Sequence, residues 1–210
     1  MTDQTPKLSA FDLDGTLLRG DTVWEALARP LGHLDRLQEF EQLSASYVDS
    51  VRAARKEVAG WYTASTLPEL HSSLASMRLA PGVHKGLGLL KGNGYKIAII
   101  SITWEFAVEW FAGQFGVDYF VGTGLSPDGK ITDFWPNDKA VWLKSLADRL
   151  GAPMSDVAAA GDSSGDLHML RAVGYPYWVG HDLPASLTAA HHPDGDIECI
   201  AQDIVAVAGG

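Results

Sequence analysis

The stretch FDLDGTLLRG, residues 11–20, places Asp12 and Asp14 at the end of a short apolar run. That run, residues 8–13 (LSAFDL), is followed by Gly15, which is typical of a buried strand that ends in a turn. Two acidic side chains at the end of a buried strand indicate a functional site at that strand end. Considered alone, they are equally compatible with surface caps at a strand-to-turn junction.

The composition bounds the class of protein. The chain has 210 residues, of which 46% are hydrophobic and 20% charged, which is enough for one domain with a modest insertion. Its net charge of −10 disfavours nucleic acid and anionic membranes as partners. A single cysteine, Cys199, rules out an intrachain disulfide, and the sequence contains neither a signal-peptide pattern nor a membrane-spanning run. We therefore expect a cytoplasmic protein, a monomer or homodimer, with no membrane partner.

Apolar runs and helical periodicity alternate along the chain. Buried strands are predicted at residues 8–13, 95–101, 156–162 and 175–179, the last of them the final strand, with a hairpin-like segment at 118–134. Helices are predicted at residues 83–92, 104–115 and 136–150, from about Ser164, and at 199–208. This alternation predicts an α/β fold with a Rossmann-like, mostly parallel sheet flanked by helices.

Residues 21–77 break this alternation. They show apolar residues at helical spacing and no convincing strand, which predicts a block of about three helices. We interpret residues 1–20 and 78–210 as the catalytic core and residues 21–77 as a small helical cap, inserted after the first strand, that serves as a lid.

Polar side chains follow several of the predicted strands. Asp12 and Asp14 follow the first strand, Ser101 a second and Asp162 a later one, and Lys139 lies at the start of a helix. Ligands of open α/β sheets bind outside the carboxyl ends of the strands, so these five side chains are expected to meet at one edge of the sheet.

The charges of this group suggest its chemistry. Clustered carboxylates repel one another, and their oxygens suit a hard cation such as Mg²⁺, which takes the rest of its ligands from water and substrate phosphate. A carboxylate beside Mg²⁺ and a lysine can attack phosphorus, because both cations offset the repulsion between two anions. Ser101 and backbone amides at a helix start can donate to phosphate oxygens.

Four ordered motifs carry a family resemblance: FDLDGT (11–16), IIS (99–101), Lys139 and AGDSSGDLHML (160–170). Together they span about 160 residues and resemble the haloacid dehalogenase-like superfamily, on its phosphoserine-phosphatase-like branch. The resemblance implies a Mg²⁺-dependent phosphatase acting on a small phosphorylated metabolite through an aspartyl-phosphate intermediate.

The resemblance also implies roles for individual residues. Asp12 would be the nucleophile and Asp14 the general acid and base. The metal residues would be Asp12, Asp14 through its carbonyl, Asp162 and, in support of the metal shell, Asp166. The substrate-binding residues would be Ser101, Ile102, Thr103 and Lys139.

The chain departs from phosphoserine phosphatases at three places. Ile102 and Thr103 follow Ser101 where those enzymes usually have two glycines, and Gly165 stands where they carry asparagine. Asp21 corresponds to a glutamate that reads the amino group of serine. We therefore expect the core chemistry to be shared and phosphoserine to be a poor substrate. Phosphoserine phosphatase proper, a phosphotransferase or mutase, and a non-catalytic phosphate sensor remain the alternatives.

Residues near the motifs have plainer interpretations as well. Arg52 and Arg55 could read a substrate carboxylate, but a solvated helix face is favoured for both. Trp24 and Trp104 are candidates to line a pocket. His191 and His192 are interpreted as a solvent-exposed loop.

Overall fold

The computed structural model describes residues 6–44, 48–62 and 67–207. Its strands, in chain order, are β1 (Lys7–Phe11), β2 (Leu18–Arg19), β3 (Arg78–Leu79), β4 (Tyr95–Trp104), β5 (Tyr119–Leu125), β6 (Ile131–Thr132), β7 (Ala158–Gly161), β8 (Tyr175–Trp178) and β9 (Ala190–His191). Its α-helices are α1 (Val23–Ala28), α2 (Leu34–Ser44), α3 (Val48–Tyr62), α4 (Leu67–Ala75), α5 (Val83–Gly92), α6 (Glu105–Phe115), α7 (Pro136–Leu150), α8 (Leu167–Ala172) and α9 (Ile197–Val207).

Seven strands form one sheet in the order β6-β5-β4-β1-β7-β8-β9. Strand β1 lies at its centre and pairs in parallel with both β4 and β7. Among the described strands of this sheet, only the short β6 runs antiparallel to its neighbour, β5. The central strands are buried on both faces, which explains why they are rich in alanine and isoleucine rather than alternating with polar residues. The predicted α/β fold with a mostly parallel sheet is confirmed.

Successive side chains of the strands pack into separate cores on the two faces of the sheet. On one face, Ile97 and Ile99 of β4 join a cluster that includes apolar residues of α5, α6 and α9. On the other face, Ala98 and Ile100 join a cluster with residues of α7 and α8. Helices therefore cover both faces, and the carboxyl ends of the parallel strands are left at one open edge.

The prediction that residues 175–179 form the final strand is wrong. Strand β9 adds to the sheet beyond β8, with Trp178 opposite His191. At two residues it is too short to give a periodic signal. His192, predicted to be exposed, places its ring Nε2 3.0 Å from the Asp203 carboxylate and keeps only 17% of its side-chain exposure.

The region between β2 and β3 contains four described helices, α1 to α4, rather than about three. The first of them, α1, begins at a capping box that Thr22 and Glu25 form. Strands β2 and β3 pair in antiparallel fashion, Leu18 with Leu79, at the two ends of this region. Residues 45–47 and 63–66 of the predicted cap, and 1–5 and 208–210 of the predicted core, lie outside the described residues, and the division into core and cap remains our proposal.

Candidate active site

The turn after β1 presents the two aspartates of the first motif. The backbone N–H of Asp12 donates to the Ala160 carbonyl of β7 over 3.0 Å, which continues the sheet pairing by one residue. A single wide turn then covers Leu13–Leu17, and within it Gly15 adopts a φ of 77°. A side chain at Gly15 would be strained by that φ and would collide with the Asp162 carboxylate. Glycine therefore allows the first and last motifs to approach each other closely.

Lys139 connects two of the predicted acids. Its Nζ lies 2.7 Å from Asp12 Oδ1 and 2.6 Å from Asp166 Oδ1, and the lysine is only 2% exposed. The start of α7 fixes this position: Pro136 is its first residue, and the Asp138 carboxylate accepts from the Trp135 N–H over 2.8 Å. The ammonium group thus contacts two carboxylates, one from the first motif and one from the last.

Asp166 is bound by the protein through both of its oxygens. While Oδ1 accepts from Lys139, Oδ2 accepts from the backbone N–H groups of Asp162 and Ser163, over 3.2 and 3.0 Å, and from the Ser163 hydroxyl. Asp166 is fully buried. Through these contacts Asp166 positions both Lys139 and the loop that carries Asp162.

Asp12, Asp162 and Asp166 form a carboxylate cluster. One oxygen of each lies within 4.8 Å of the others, and the Thr16 hydroxyl donates to Asp162 Oδ1 over 3.0 Å. These are hard oxygen donors, so the cluster could hold a divalent metal ion. Asp14 lies apart from it: its Oδ1 accepts from the Val23 N–H at the start of α1 over 2.8 Å.

The pKa values indicate that the positive charge of Lys139 does not fully compensate the negative charge of the carboxylate cluster. Burial, then repulsion by Asp166, raises the pKa of Asp12 well above its usual range, although Lys139 opposes this. Burial and Asp166 raise the pKa of Asp162 to about 6, and burial raises the pKa of Asp14 to about 7. Burial lowers the pKa of Lys139, but attraction by Asp12 and Asp166 outweighs it and leaves the pKa raised. An added cation would stabilise the ionised carboxylates.

A cavity of about 530 Å³ opens above this cluster. Its described lining comprises Asp12, Asp14, Gly15, Gly20, Thr22, Trp24, Leu37, Phe40, Val51, Ala54, Arg55, Ser101, Ile102, Thr103, Lys139, Asp162, Ser163 and Gly165. The predicted substrate-binding residues are thus all on its wall, together with both aspartates of the first motif. A volume of this size is typical of small-molecule sites.

The second motif lies at an irregular end of β4. The pairing of β4 with β5 shifts register between Ile100 and Trp104, so β4 extends three residues past the predicted end at Ser101. Ser101 is 2% exposed and its hydroxyl accepts from the Thr103 N–H over 3.3 Å. The Thr103 hydroxyl is buried and has no hydrogen-bond partner in the described part of the chain.

Other candidates are divided between the cavity and its surroundings. Trp24 lines the cavity, whereas Trp104 is fully buried behind it, with the two ring centroids 5.3 Å apart. Asp21 lies outside the lining: its carboxylate is half-exposed and pairs with Arg29 over 2.7 Å.

Arg55 has a structural role that the sequence analysis did not predict. The interpretation of a solvated helix face is wrong for it, because Arg55 is only 3% exposed. Its Nη1 donates to Asp133 over 2.9 Å, its Nη2 donates to the Phe134 carbonyl over 3.1 Å, and its guanidinium lies 4.1 Å from the centre of the Trp135 ring. Arg52 also pairs with Asp133, but its side chain is 56% exposed. These contacts fasten α3 to the segment before α7.

This contrast predicts different effects of two substitutions on α3. Arg55→Met should lower the free energy of unfolding by about 2 kcal/mol, because the hydrogen bonds of a buried guanidinium to the Asp133 carboxylate and the Phe134 carbonyl are lost. Arg52→Met should cost less than about 1 kcal/mol, since exposed ion pairs contribute little. Urea unfolding monitored by tryptophan fluorescence measures both, and equal losses would contradict the role given to Arg55.

Comparison with known proteins identifies the family. The family model of the haloacid dehalogenase-like hydrolases matches residues 10–171, more than half of the chain. The chain belongs to this family.

Named members of the hydrolase family resemble the chain over most of its length. A phosphoserine phosphatase of Methanocaldococcus jannaschii is 27% identical over 182 residues, covering 82% of this chain and 84% of the relative. A phosphoglycolate phosphatase of Pyrobaculum aerophilum is 28% identical over 207 residues, covering 88% and 87%. Against three further phosphoserine phosphatases, the chain spans only 42%, 43% and 51% of their lengths.

A solved structure of a phospho-aspartyl intermediate analogue of phosphoserine phosphatase shares the fold. Its TM-score is 0.67 at 22% identity, with 83% of this chain and 87% of that chain covered. These comparisons confirm the predicted resemblance to the phosphoserine-phosphatase-like branch of the haloacid dehalogenase-like hydrolases and the predicted enzyme class, a phosphatase. None of the described helices combines the length and the apolar character needed to cross a bilayer.

Proposed function

We propose that this hydrolase is a Mg²⁺-dependent phosphomonoesterase that transfers the phosphoryl group of a small phosphorylated metabolite to Asp12 and then to water. The observation that supports this most strongly is the contact of Lys139 with Asp12, 2.7 Å, on the wall of a cavity that also contains Asp14, Ser101 and Asp162. This set provides a nucleophile, a proton donor and donors for phosphate oxygens in one place.

In the first step, the Asp12 oxygen that does not accept from Lys139 attacks phosphorus. A bond forms between that oxygen and phosphorus, and the bond between phosphorus and the ester oxygen breaks. Asp14 donates its proton to the departing alcohol, a role that suits a carboxyl group whose pKa is raised to about 7. Lys139 and Ser101 hold the non-bridging oxygens of the phosphoryl group.

In the second step, water attacks phosphorus and Asp14, now ionised, takes up a proton from it. The bond between Asp12 and phosphorus breaks, which regenerates the carboxylate and releases inorganic phosphate. Asp14 thus acts first as an acid and then as a base, and its hydrogen bond from the Val23 N–H keeps the carboxyl group oriented.

The proposed metal residues are Asp12, Asp14 through its backbone carbonyl, and Asp162. When bound, Mg²⁺ would supply positive charge that offsets repulsion between the carboxylates and the phosphoryl group. Asp166, with both oxygens already bonded to the protein, supports this site by positioning Lys139 and Asp162.

The alternatives differ in what accepts or carries the phosphoryl group. The curated relatives support phosphoserine phosphatase proper, but the pairing of Asp21 with Arg29 outside the cavity disfavours it. A mutase or phosphotransferase would pass the group from Asp12 to an alcohol instead of water. The cytoplasmic location and the absence of nucleic-acid partners remain predictions.

The purified protein should release phosphate from a set of phosphomonoesters in the presence of Mg²⁺ and lose this activity in EDTA. Asp162→Asn should lower the activity at low Mg²⁺ because one negatively charged ligand is lost, and excess Mg²⁺ should partly restore the activity.

The control is Asp182→Asn, which changes an exposed aspartate outside the cavity lining. Phosphate release that EDTA does not affect would contradict the metal proposal, and transfer to added alcohols that outpaces transfer to water would favour the phosphotransferase.

A further inference from the structure

We infer that the alcohol portion of the substrate is apolar and carries an aromatic ring, so that the substrate is a phosphate monoester of an arylalkyl alcohol. This inference rests on the proposed function and adds the substrate class. It follows from the apolar part of the cavity lining.

We call the apolar side chains of the lining, which come from α1, α2, α3 and β4, the apolar wall. They are Trp24, Leu37, Phe40, Val51, Ala54 and Ile102. Because the same cavity contains Asp12 and Lys139, an ester whose phosphate occupies the polar end places its alcohol portion against this wall. Apolar groups leave water for such a surface, which favours an apolar alcohol.

Ile102 is an exposed part of this apolar wall. Its neighbours Ser101 and Thr103 are each 2% exposed, whereas Ile102 is 36% exposed and lines the cavity. A large apolar side chain exposed at the mouth of a site is a contact surface for an apolar ligand.

The two aromatic residues of the wall are held in place by further rings. Trp24 stacks on the buried Trp104 at an interplanar angle of 15°, and Tyr62 contacts Trp104 edge-on at 5.7 Å. The centre of the Phe40 ring is 6.4 Å from that of Trp61 and 4.4 Å from the guanidinium of Arg36. Rings that are already ordered offer a flat partner at little entropic cost, which favours an aromatic ligand.

The charges near this wall are already paired. Arg55 is bound to Asp133 and the Phe134 carbonyl. Its Nε is buried and has no hydrogen-bond partner among the described residues, and the side chain is part of the cavity lining. An alcohol with a carboxylate or an ammonium group would lose hydration against the apolar side chains, and its carboxylate would have to compete with Asp133 for the guanidinium.

The test compares primary alkyl phosphates, so that leaving-group acidity does not decide the result. With Mg²⁺ present, kcat/KM for 2-phenylethyl phosphate should exceed that for O-phosphoserine, phosphoglycolate and glycerol 3-phosphate by about tenfold or more. The ammonium and carboxylate groups make serine and glycolate the better leaving alcohols, so such a preference would reflect binding. Higher kcat/KM for phosphoserine or phosphoglycolate would overturn the inference and leave the proposed function intact.

A matched pair of tryptophan substitutions tests whether the apolar wall causes the substrate preference. Trp24→Leu should lower the ratio of kcat/KM for 2-phenylethyl phosphate over methyl phosphate by about tenfold. Trp110→Leu changes a half-buried tryptophan outside the cavity lining and should keep the ratio. Equal effects of the two variants would contradict a role for the wall.

Binding gives a readout that does not depend on turnover. In Asp12→Asn, calorimetry should show that 2-phenylethylphosphonate binds about tenfold more tightly than 2-amino-4-phosphonobutanoate, and the reverse order would overturn the inference. If no ester in the set releases phosphate, the proposed function fails and this inference fails with it.

Discussion

Replacing Asp12 by asparagine is expected to abolish phosphate release, with kcat lowered by about 10⁴-fold or more, as for other enzymes that lose their nucleophile. The amide has nearly the shape of the carboxylate but cannot form the proposed bond to phosphorus. Phosphate release from a readily hydrolysed aryl phosphate at saturating Mg²⁺ measures the effect.

The same substitution should leave the fold intact. Burial and the neighbouring acids raise the pKa of Asp12, which means that the folded protein disfavours the ionised form at this position. A neutral amide should therefore preserve the free energy of unfolding or increase it. Loss of activity in a variant as stable as the parent would separate catalysis from folding, and activity within tenfold of the parent would contradict the role of Asp12.

Replacing Lys139 by methionine is expected to have the largest effect on stability. The change removes the cation that contacts Asp12 and Asp166, both of them buried. Breaking a buried ion pair by removing one partner typically costs about 3–5 kcal/mol, because the remaining charge is left without compensation. Urea unfolding in metal-free buffer measures this loss.

The same helix provides the control. Lys144 pairs with Asp148 over 2.6 Å, but both side chains are more than 60% exposed. Lys144→Met should therefore change the free energy of unfolding by less than about 1 kcal/mol. If Lys139→Met leaves too little folded protein to measure, Lys139→Met combined with Asp166→Asn should recover part of the stability, because one uncompensated carboxylate is removed. Similar losses for Lys139→Met and Lys144→Met would contradict the role given to Lys139.

The sequence predicted the sheet and the residues at its open edge because the signals there are local. The buried strands β1, β4 and β7 contain short apolar runs. Asp12 and Asp162 directly follow β1 and β7, and Ser101 lies in the last part of β4, three residues before its end. Once the strands are known to be parallel, their carboxyl ends must share an edge, so the juxtaposition follows from topology.

Contacts between distant segments could not be predicted in this way. Arg55 lies on the apolar stripe of α3 together with Val51 and Val58, whereas Arg52 lies on the exposed face of the same helix. The helical pattern does not identify the partner of Arg55, because Asp133 is 78 residues away. The bond of Asp166 to Lys139 depends on the fold in the same manner, since it joins residues of two different helical segments, whereas the bonds of Asp166 to the N–H groups of Asp162 and Ser163 are local.

Two of the departures from phosphoserine phosphatases have a physical explanation in the structure. Ile102 is an exposed part of the cavity wall, and Asp21 is directed to Arg29 instead of the cavity. The polar end of the site thus carries the chemistry common to the family, whereas the apolar wall is the part of the site that we expect to select the alcohol.

The most direct test of the central claim is a crystal structure of the protein with Mg²⁺ and beryllium fluoride, which imitates a phosphoryl group bonded to a carboxylate. We predict that the beryllium is bonded to a side-chain oxygen of Asp12, with fluorides close to Lys139 and Ser101. Beryllium fluoride bonded to any other residue, or absent from the Asp12 carboxylate at saturating concentration, would contradict the account.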